Sequence, residues 1–315
     1  MKISVIVPTF NRRELVQRTL GTLFAQSVPA SDFEVITVVD GSTDGTAEAL
    51  HKLAAPCRFR VIEQENRGLA GARNTGWRAA RAGLVLFLDD DMQCDPGLVA
   101  THVEAHAEGE RSVAFGALFL SEDSPRSLAA ECFNREIGAF HLARGNSADR
   151  AWRETDCVFS NSSISRELLE GSGGFDERFR MREDLELGLR LFRAGVTAKY
   201  VGEAKAFQYY DKTSSDLIHD AEAFAQADFL LAKKHPEALI PGHVRWLEKE
   251  RGWKARMMRL AAKVPSLWDA ALLPVCGIGE VFIGNKSLCG LGVRALQIRR
   301  RLRWLHRLEE LQDRR

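Results

Sequence analysis

Leu84-Val85-Leu86-Phe87-Leu88-Asp89-Asp90-Asp91 decides the fold. Five apolar residues run without a polar break, the pattern of a strand covered on both faces, and three carboxylates follow at once. Similar runs precede it at Ile3–Val7, Glu34–Val39 and Arg58–Ile62. Between them lie helical patterns at Arg12–Gln26, Thr46–Leu53 and Leu69–Arg81. Strands alternating with helices predict βαβ crossovers, right-handed connections and a parallel sheet. In such sheets ligands bind beyond the carboxyl ends of the strands. The polar residues there are Pro8-Thr9, Asp40-Gly41-Ser42, Gln64-Glu65-Asn66 and Asp89-Asp90-Asp91.

Three adjacent carboxylates repel one another, and a divalent cation that also takes phosphate oxygens would compensate them. The competing reading is a solvated acidic loop that leads into a helix capped by Asp95 before Pro96. Asp40-Gly41-Ser42-Thr43-Asp44-Gly45-Thr46 offers acceptors to a ribose or base, or is a plain loop with Asp44 as a cap. Arg67 and Arg73 lie near the third strand's exit, where a guanidinium can grip a diphosphate or simply face solvent. Glu183-Asp184 opens a helix through Ala194. The two acids either suit the positive helix end or supply a base.

In their order, these segments resemble the family 2 glycosyltransferases. The matching stretches are Val5-Ile6-Val7-Pro8-Thr9-Phe10-Asn11, Val38–Thr46, Glu65-Asn66-Arg67-Gly68, Ala72-Arg73-Asn74-Thr75-Gly76, Phe87–Asp91 and Gly173-Gly174-Phe175-Asp176-Glu177 with Glu183-Asp184. The resemblance covers roughly residues 1–235. It implies an α/β fold of the GT-A (Rossmann-like) kind, a mostly parallel sheet with helices on both faces, plus a helical C-terminal appendage. It also implies an inverting transfer from a nucleotide-sugar donor, a UDP-sugar foremost, to a saccharide or lipid-linked acceptor. The implied donor-binding residues are Pro8, Thr9, Asp40, Asn66, Arg73 and Asp89. Asp89 and Asp91 would hold Mn²⁺ or Mg²⁺, and Asp184 would be the general base. Two departures stand out. Asp40 is single where many members carry two acids, and Phe207-Gln208-Tyr209-Tyr210 stands where a histidine often follows.

The expected organisation is a nucleotide-sugar-binding half at 1–110, an acceptor-binding and catalytic half of the same domain at 111–235, and a helical region at 236–315. Strand and helix patterns in the second half are expected at Arg111–Leu120, Ser127–Leu142 and Asp216–Lys234. With 44 basic and 43 acidic side chains, the net charge of +1 gives no reason to expect nucleic acid as partner. Six scattered cysteines without a Cys-x-x-Cys pair speak against zinc and for reduced thiols in the cytoplasm. The apolar stretch Ala270–Phe282 is too short and too broken for a span, so a soluble or peripheral protein is expected.

His102 and His106 stand at i, i+4, but the glutamate between them is misplaced for a zinc-protease motif, and a helix surface is expected. Gln297-Ile298-Arg299-Arg300-Arg301 lacks the tryptophan of processive synthases, so the enzyme is expected to be non-processive. Ile298, Leu302, Leu305, Leu308 and Leu311 form an apolar stripe beside five arginines. It is either a packing face, against its own domain or a second copy, or a helix on the inner face of the plasma membrane. Two other functions were weighed against transfer. A sugar-nucleotide pyrophosphorylase wants a glycine-rich loop after the first strand. A catalytically inactive sugar-binding protein would not need Asp89, Asp91 and Asp184.

Overall fold

A computed structural model describes residues 1–107, 111–145, 156–238 and 252–313. Parts of all three expected regions, at 108–110, 146–155, 239–251 and 314–315, lie outside the described residues. The chain divides into two compact units, Met1–Glu122 with Ile137–Tyr209, and Asp123–Glu136 with Tyr210–Arg315.

The first unit holds an eight-stranded sheet in the order β3-β2-β1-β4-β7-β6-β8-β5, where β1 is Ile3–Thr9, β2 Phe33–Asp40, β3 Arg58–Gln64, β4 Leu84–Leu88, β5 Met92–Cys94, β6 Ser112–Leu120, β7 Asn161–Ser165 and β8 Thr197–Gln208. β3, β2, β1 and β4 are parallel neighbours, as the alternation predicts. β7 then runs antiparallel between β4 and β6, β6 and β8 are parallel, and the short β5 lies antiparallel on β8. Helices α1 (Arg13–Leu23), α2 (Thr46–His51), α3 (Gly68–Ala79), α4 (Leu98–Glu104), α5 (Leu128–Gly145), α6 (Arg166–Ser172) and α7 (Glu183–Arg193) are interleaved with the strands.

Side chains alternate across a strand, so each strand feeds two cores. Ile6, Val38, Val85 and Phe87 join Trp77 of α3 and Leu187 and Leu191 of α7 on one face. Ile3, Val5, Leu84 and Leu86 join Val16, Leu20 and Leu23 of α1 on the other. That double burial is why these strands read as unbroken apolar runs, each large side chain contributing about 1.5–3 kcal/mol. Small residues bring α3 close to the sheet, since a Cβ on Gly76 would collide with Ile6.

His102 contradicts the expected helix surface. It is fully buried, and its ring nitrogens meet Ser163 Oγ at 2.8 Å and Asn161 Oδ1 at 2.9 Å. Asn161 in turn donates to the Ala117 and Ala204 carbonyls at 3.1 and 2.9 Å. Burial lowers the His102 pKa to about 4, so the ring is a neutral strut that makes the polar strand Asn161-Ser162-Ser163 viable in a core.

The second unit is helical. Besides the start of α5, it contains α8 (Ser214–Lys234), α9 (Trp253–Ala262), α10 (Pro265–Val281) and α11 (Lys286–Asp313). A capping box between Thr213 and Asp216 opens α8. α10 and α11 approach so closely that a Cβ on Gly279 would sit 2.7 Å from the Gly292 Cα. Leu302, Trp304, Leu305 and Leu308 of α11 are buried with Ala221 and Ala225 of α8, and Trp304 Nε1 donates to Asp228 at 2.8 Å. The leucine stripe is therefore mostly a packing face, and its arginines are engaged: Arg299 and Arg303 with Asp269, Arg300 with Glu136. The membrane-surface alternative for that stripe is not met, because Leu302, Leu305 and Leu308 are inside the unit. Among the described residues, no single helix is long and apolar enough to cross a membrane, and the six cysteines form no disulfide.

Candidate active site

The polar residues expected at the sheet's carboxyl edge do gather there. Pro8 sits past the last β1–β4 pair, Ile6 with Phe87, where the ladder on that side has ended and a missing N–H costs nothing. Thr9 Oγ1 donates to Asp90 Oδ2 at 2.7 Å, tying the end of β1 to the acids after β4. Asp40 accepts from the Arg67 and Gly68 amides at 2.8 Å each and from Gln64 Nε2 at 2.7 Å. Three of a carboxylate's roughly four acceptor positions thus order the start of α3, leaving room for one further donor. Asn66 donates to the Asp40 carbonyl at 3.0 Å, and Gly41, at φ 78°, leaves no space for a side chain against the Asn66 backbone.

The three acids behave differently. Asp90 and Asp91 are buried and share one guanidinium: Arg12 Nη1 lies 3.1 Å from Asp90 Oδ1 and 3.0 Å from Asp91 Oδ2. Asp91 also accepts from Gln208 Nε2 of β8 at 3.1 Å, while its Oδ1 is buried with no protein partner. Burial, then the charges of Asp89 and Asp90, pushes the Asp91 carboxyl up to about 7. Burial also raises Asp90, against the pull of Arg12. Asp89 is more open and belongs to another arginine.

That arginine is Arg73, the link between the two ends of the site. It is 3% exposed on α3, where it pairs with Asp89 Oδ1 at 2.9 Å through Nη2 and with Glu183 Oε1 at 2.9 Å through Nη1. Burial opposes its charge, yet Asp89, Glu183 and Asp184 hold it firmly protonated. Its neighbour Asn74 anchors Gly174-Phe175-Asp176-Glu177: Nδ2 donates to the Phe175 carbonyl and to Glu177, and Oδ1 accepts from the Phe175 amide and Trp77 Nε1. α7 starts from Arg182, a non-glycine residue at φ 66°. This conformation is costly and is kept where the surroundings impose it.

Glu183 is buried, and burial together with Asp184 raises its carboxyl to about 7. Asp184 is partly exposed, accepts its own helix's Leu185 amide at 2.7 Å, and is raised by burial. Of the two acids, Glu183 is buried against Arg73, and Asp184 is the more exposed.

Arg12, Glu183 and Gln208 complete the cluster, and the expected donor and metal residues did not include them. Arg12 follows β1 at the same edge as Pro8 and Thr9, a signal available in the sequence. Gln208 stands in the segment that replaces the family's histidine, and it contacts Asp91 through the Met92–Gln208 pairing. Only folding shows that.

Among the described residues, no group of three or more His, Cys, Asp or Glu side chains is placed to hold a metal ion unaided. The orphaned Asp91 Oδ1 and the crowded acids fit the other mode, in which the protein supplies one or two carboxylates and bound phosphates supply the rest.

A parallel sheet continued by antiparallel strands is the plan of the GT-A glycosyltransferase fold, and solved structures of that fold superpose on it. A mannosyltransferase from Pyrobaculum calidifontis, solved with GDP-Man and Mn²⁺, superposes with a TM-score of 0.62 at 21% identity over 96% of this chain and 87% of its own. Residues 1–349 of S. aureus TarS, solved with UDP, give 0.53 at 16% identity over 100% and 92%. The chain belongs to glycosyl transferase family 2, whose profile matches residues 4–173. A validoxylamine A glucosyltransferase of Streptomyces hygroscopicus subsp. jinggangensis is 42% identical, over 79% of this chain and 64% of that relative. A second, from subspecies limoneus, is also 42% identical and is covered over 60%. The chain thus spans about three fifths of the length of these relatives.

Proposed function

We propose that this chain transfers a hexose, with inversion, from a nucleoside-diphosphate sugar to the hydroxyl of a saccharide or lipid-linked saccharide, assisted by Mn²⁺ or Mg²⁺. A UDP-sugar is the foremost donor, and a glucosyl group is the first to test given the named activity of the 42%-identical relatives. The carrying observation is the double ion pair of Arg73, which puts the donor-side acid Asp89 and Glu183, the neighbour of Asp184, on one buried guanidinium.

Roles follow from what each group has left to offer. Asp40 and Thr9 border the nucleoside end, and Asn66 keeps the Asp40 loop in place. Asp89 and Asp91 would hold the cation, which supplies positive charge as the diphosphate leaves. Arg12 and Gln208 position Asp91. Asp184 takes the acceptor's proton, because a neutral hydroxyl is a weak nucleophile until a positioned base removes it. Asp184 acting as the one base on the acceptor hydroxyl, together with the family resemblance, favours a single in-line displacement, hence inversion. A cytoplasmic location is part of the same proposal, in keeping with six cysteines that form no disulfide.

Three measurements test this. Thermal shift with UDP and GDP, with and without Mn²⁺, should show metal-dependent stabilisation, because a ligand of the native state raises apparent stability. Proton NMR of the first-formed glycoside should show the inverted anomer, and retention would overturn the single-displacement mechanism. A donor-hydrolysis assay separates an enzyme from an inactive binding protein.

A further inference from the structure

The second unit carries an apolar surface that the active site does not use. On α9, Trp253, Met257 and Leu260 are exposed at spacings of 4 and 3 residues, one helical stripe, and Trp253 is 72% exposed. On α10, Leu267, Ile278 and Val281 are exposed at spacings of 11 and 3, again one stripe, and Val281 is 76% exposed. The other side of α10 is pinned on α11 by Asp269 with Arg299 and Arg303, by Cys276 and by Gly279. The outward direction of its apolar face is therefore set by packing. Most of the exposed large apolar side chains among the described residues lie on α9 to α11.

Charge identifies what covers this surface. From residue 252 to 298 the only acids are Asp269 and Glu280. Asp269 is engaged by arginines, and Glu280 accepts from the Leu128 amide at 2.8 Å. Arg256, Lys263, Lys286 and Arg294 are exposed in the same stretch. Exposed tryptophan and leucine beside an excess of cations fit an anionic lipid surface, where the apolar chains enter the headgroup boundary and the cations meet phosphates. A second copy fits less well, because a two-fold interface sets the same cationic patch against itself. The two helices meet at 98°, which suits two legs laid on a flat surface and not a rod crossing it.

We infer that α9 and α10 form a membrane-surface docking face for an anionic bilayer. It is distinct from the tail stripe on α11 and independent of the activity proposed above.

Flotation of the full chain with phosphatidylglycerol/phosphatidylcholine vesicles tests it. Wild type should float with the anionic vesicles at low salt and much less with phosphatidylcholine alone. Leu267→Glu with Ile278→Glu should abolish flotation while circular dichroism is unchanged. Arg256→Gln with Lys286→Gln keeps the apolar face and should weaken anionic partitioning about 25-fold, roughly fivefold per cation. The inference fails if wild type does not float, or if the glutamate variant floats as well as wild type. It also fails if sedimentation velocity shows a dimer that the glutamate variant dissociates, with no vesicle binding, for then the face belongs to a second copy.

Discussion

The parallel half of the sheet and its antiparallel continuation follow different rules. In β1, β2 and β4 each strand is a local, mostly apolar run, with the half-buried edge strand β3 beside them. All four end at one common edge, so both the strands and their chemically useful ends are visible in a few consecutive residues. Beyond them β6 is again an apolar run, expected at Arg111–Leu120 and found at Ser112–Leu120, whereas β5 and β7 owe their existence to distant partners. β7 is Asn161-Ser162-Ser163-Ile164-Ser165, buried although polar because ladders flank it and His102 satisfies Ser163. β5 is three residues long and forms against β8, and the β6–β8 register shifts between Gly116 and Ala117. The first half places donor chemistry by topology. The second adds groups that only tertiary contact can align.

Arg73 and Gln208 join these halves, one reaching Glu183 and the other Asp91, over 110 and 117 residues of sequence. If Asp184 is the base held beside this junction, Asp184→Asn should lower turnover by about 10²–10⁴ while nucleotide binding persists. Near wild-type transfer by that variant would remove the second half from the chemistry. Steady-state rates with a fixed donor check this.

Arg73→Met should strike both halves together. It leaves Asp89 and the buried Glu183 without their counter-charge, a change that typically costs about 3–5 kcal/mol. Denaturant unfolding measures it. A loss below 1 kcal/mol would mean that the halves do not depend on this pair.

The acid–base behaviour of Glu183 sharpens the same comparison. Its native pKa, about 7, lies above the ordinary 4.5, so between those values the folded state binds more protons than the unfolded one. Stability should therefore fall as pH rises through that window. In Glu183→Gln the fall should be shallower, by comparison of unfolding free energies at pH 5 and pH 7. An identical slope would assign the titration elsewhere.

The smallest expected effect is in the second unit. Thr213→Ala removes the side-chain half of a capping box and should cost about 1 kcal/mol without changing nucleotide affinity. A shift in affinity would tie α8 to the donor site.

How much was legible in the sequence follows the same division. The four parallel strands, α1 to α3 and the placement of Thr9, Asp40 and Asp89–Asp91 on one edge could be read from periodicity, with ends misplaced by a few residues. The motif order pointed to the family. β5 and β7 could not be read, because polar or very short strands carry no periodic signal; of β8 only the end near Ala206 was expected, its twelve residues being mostly half-buried without a clean alternation. Arg73, expected beside the base or diphosphate, also bridges Asp89 and Glu183, a contact that sequence spacing does not show. The α11 leucines were ambiguous because a packing stripe and a membrane stripe share one spacing, and burial by α8 separates them.

The central claim is that the edge formed by Thr9, Asp40, Asp89 and Asp91 binds a nucleoside diphosphate together with a divalent cation. Isothermal titration of UDP and GDP into wild type and Asp91→Ala, in Mn²⁺ and again in EDTA, tests it most directly. Wild type should bind one of the two in Mn²⁺, at least tenfold more weakly in EDTA, and Asp91→Ala should bind weakly in both. Equal affinity in all four conditions would contradict the assignment of the acids to metal and diphosphate.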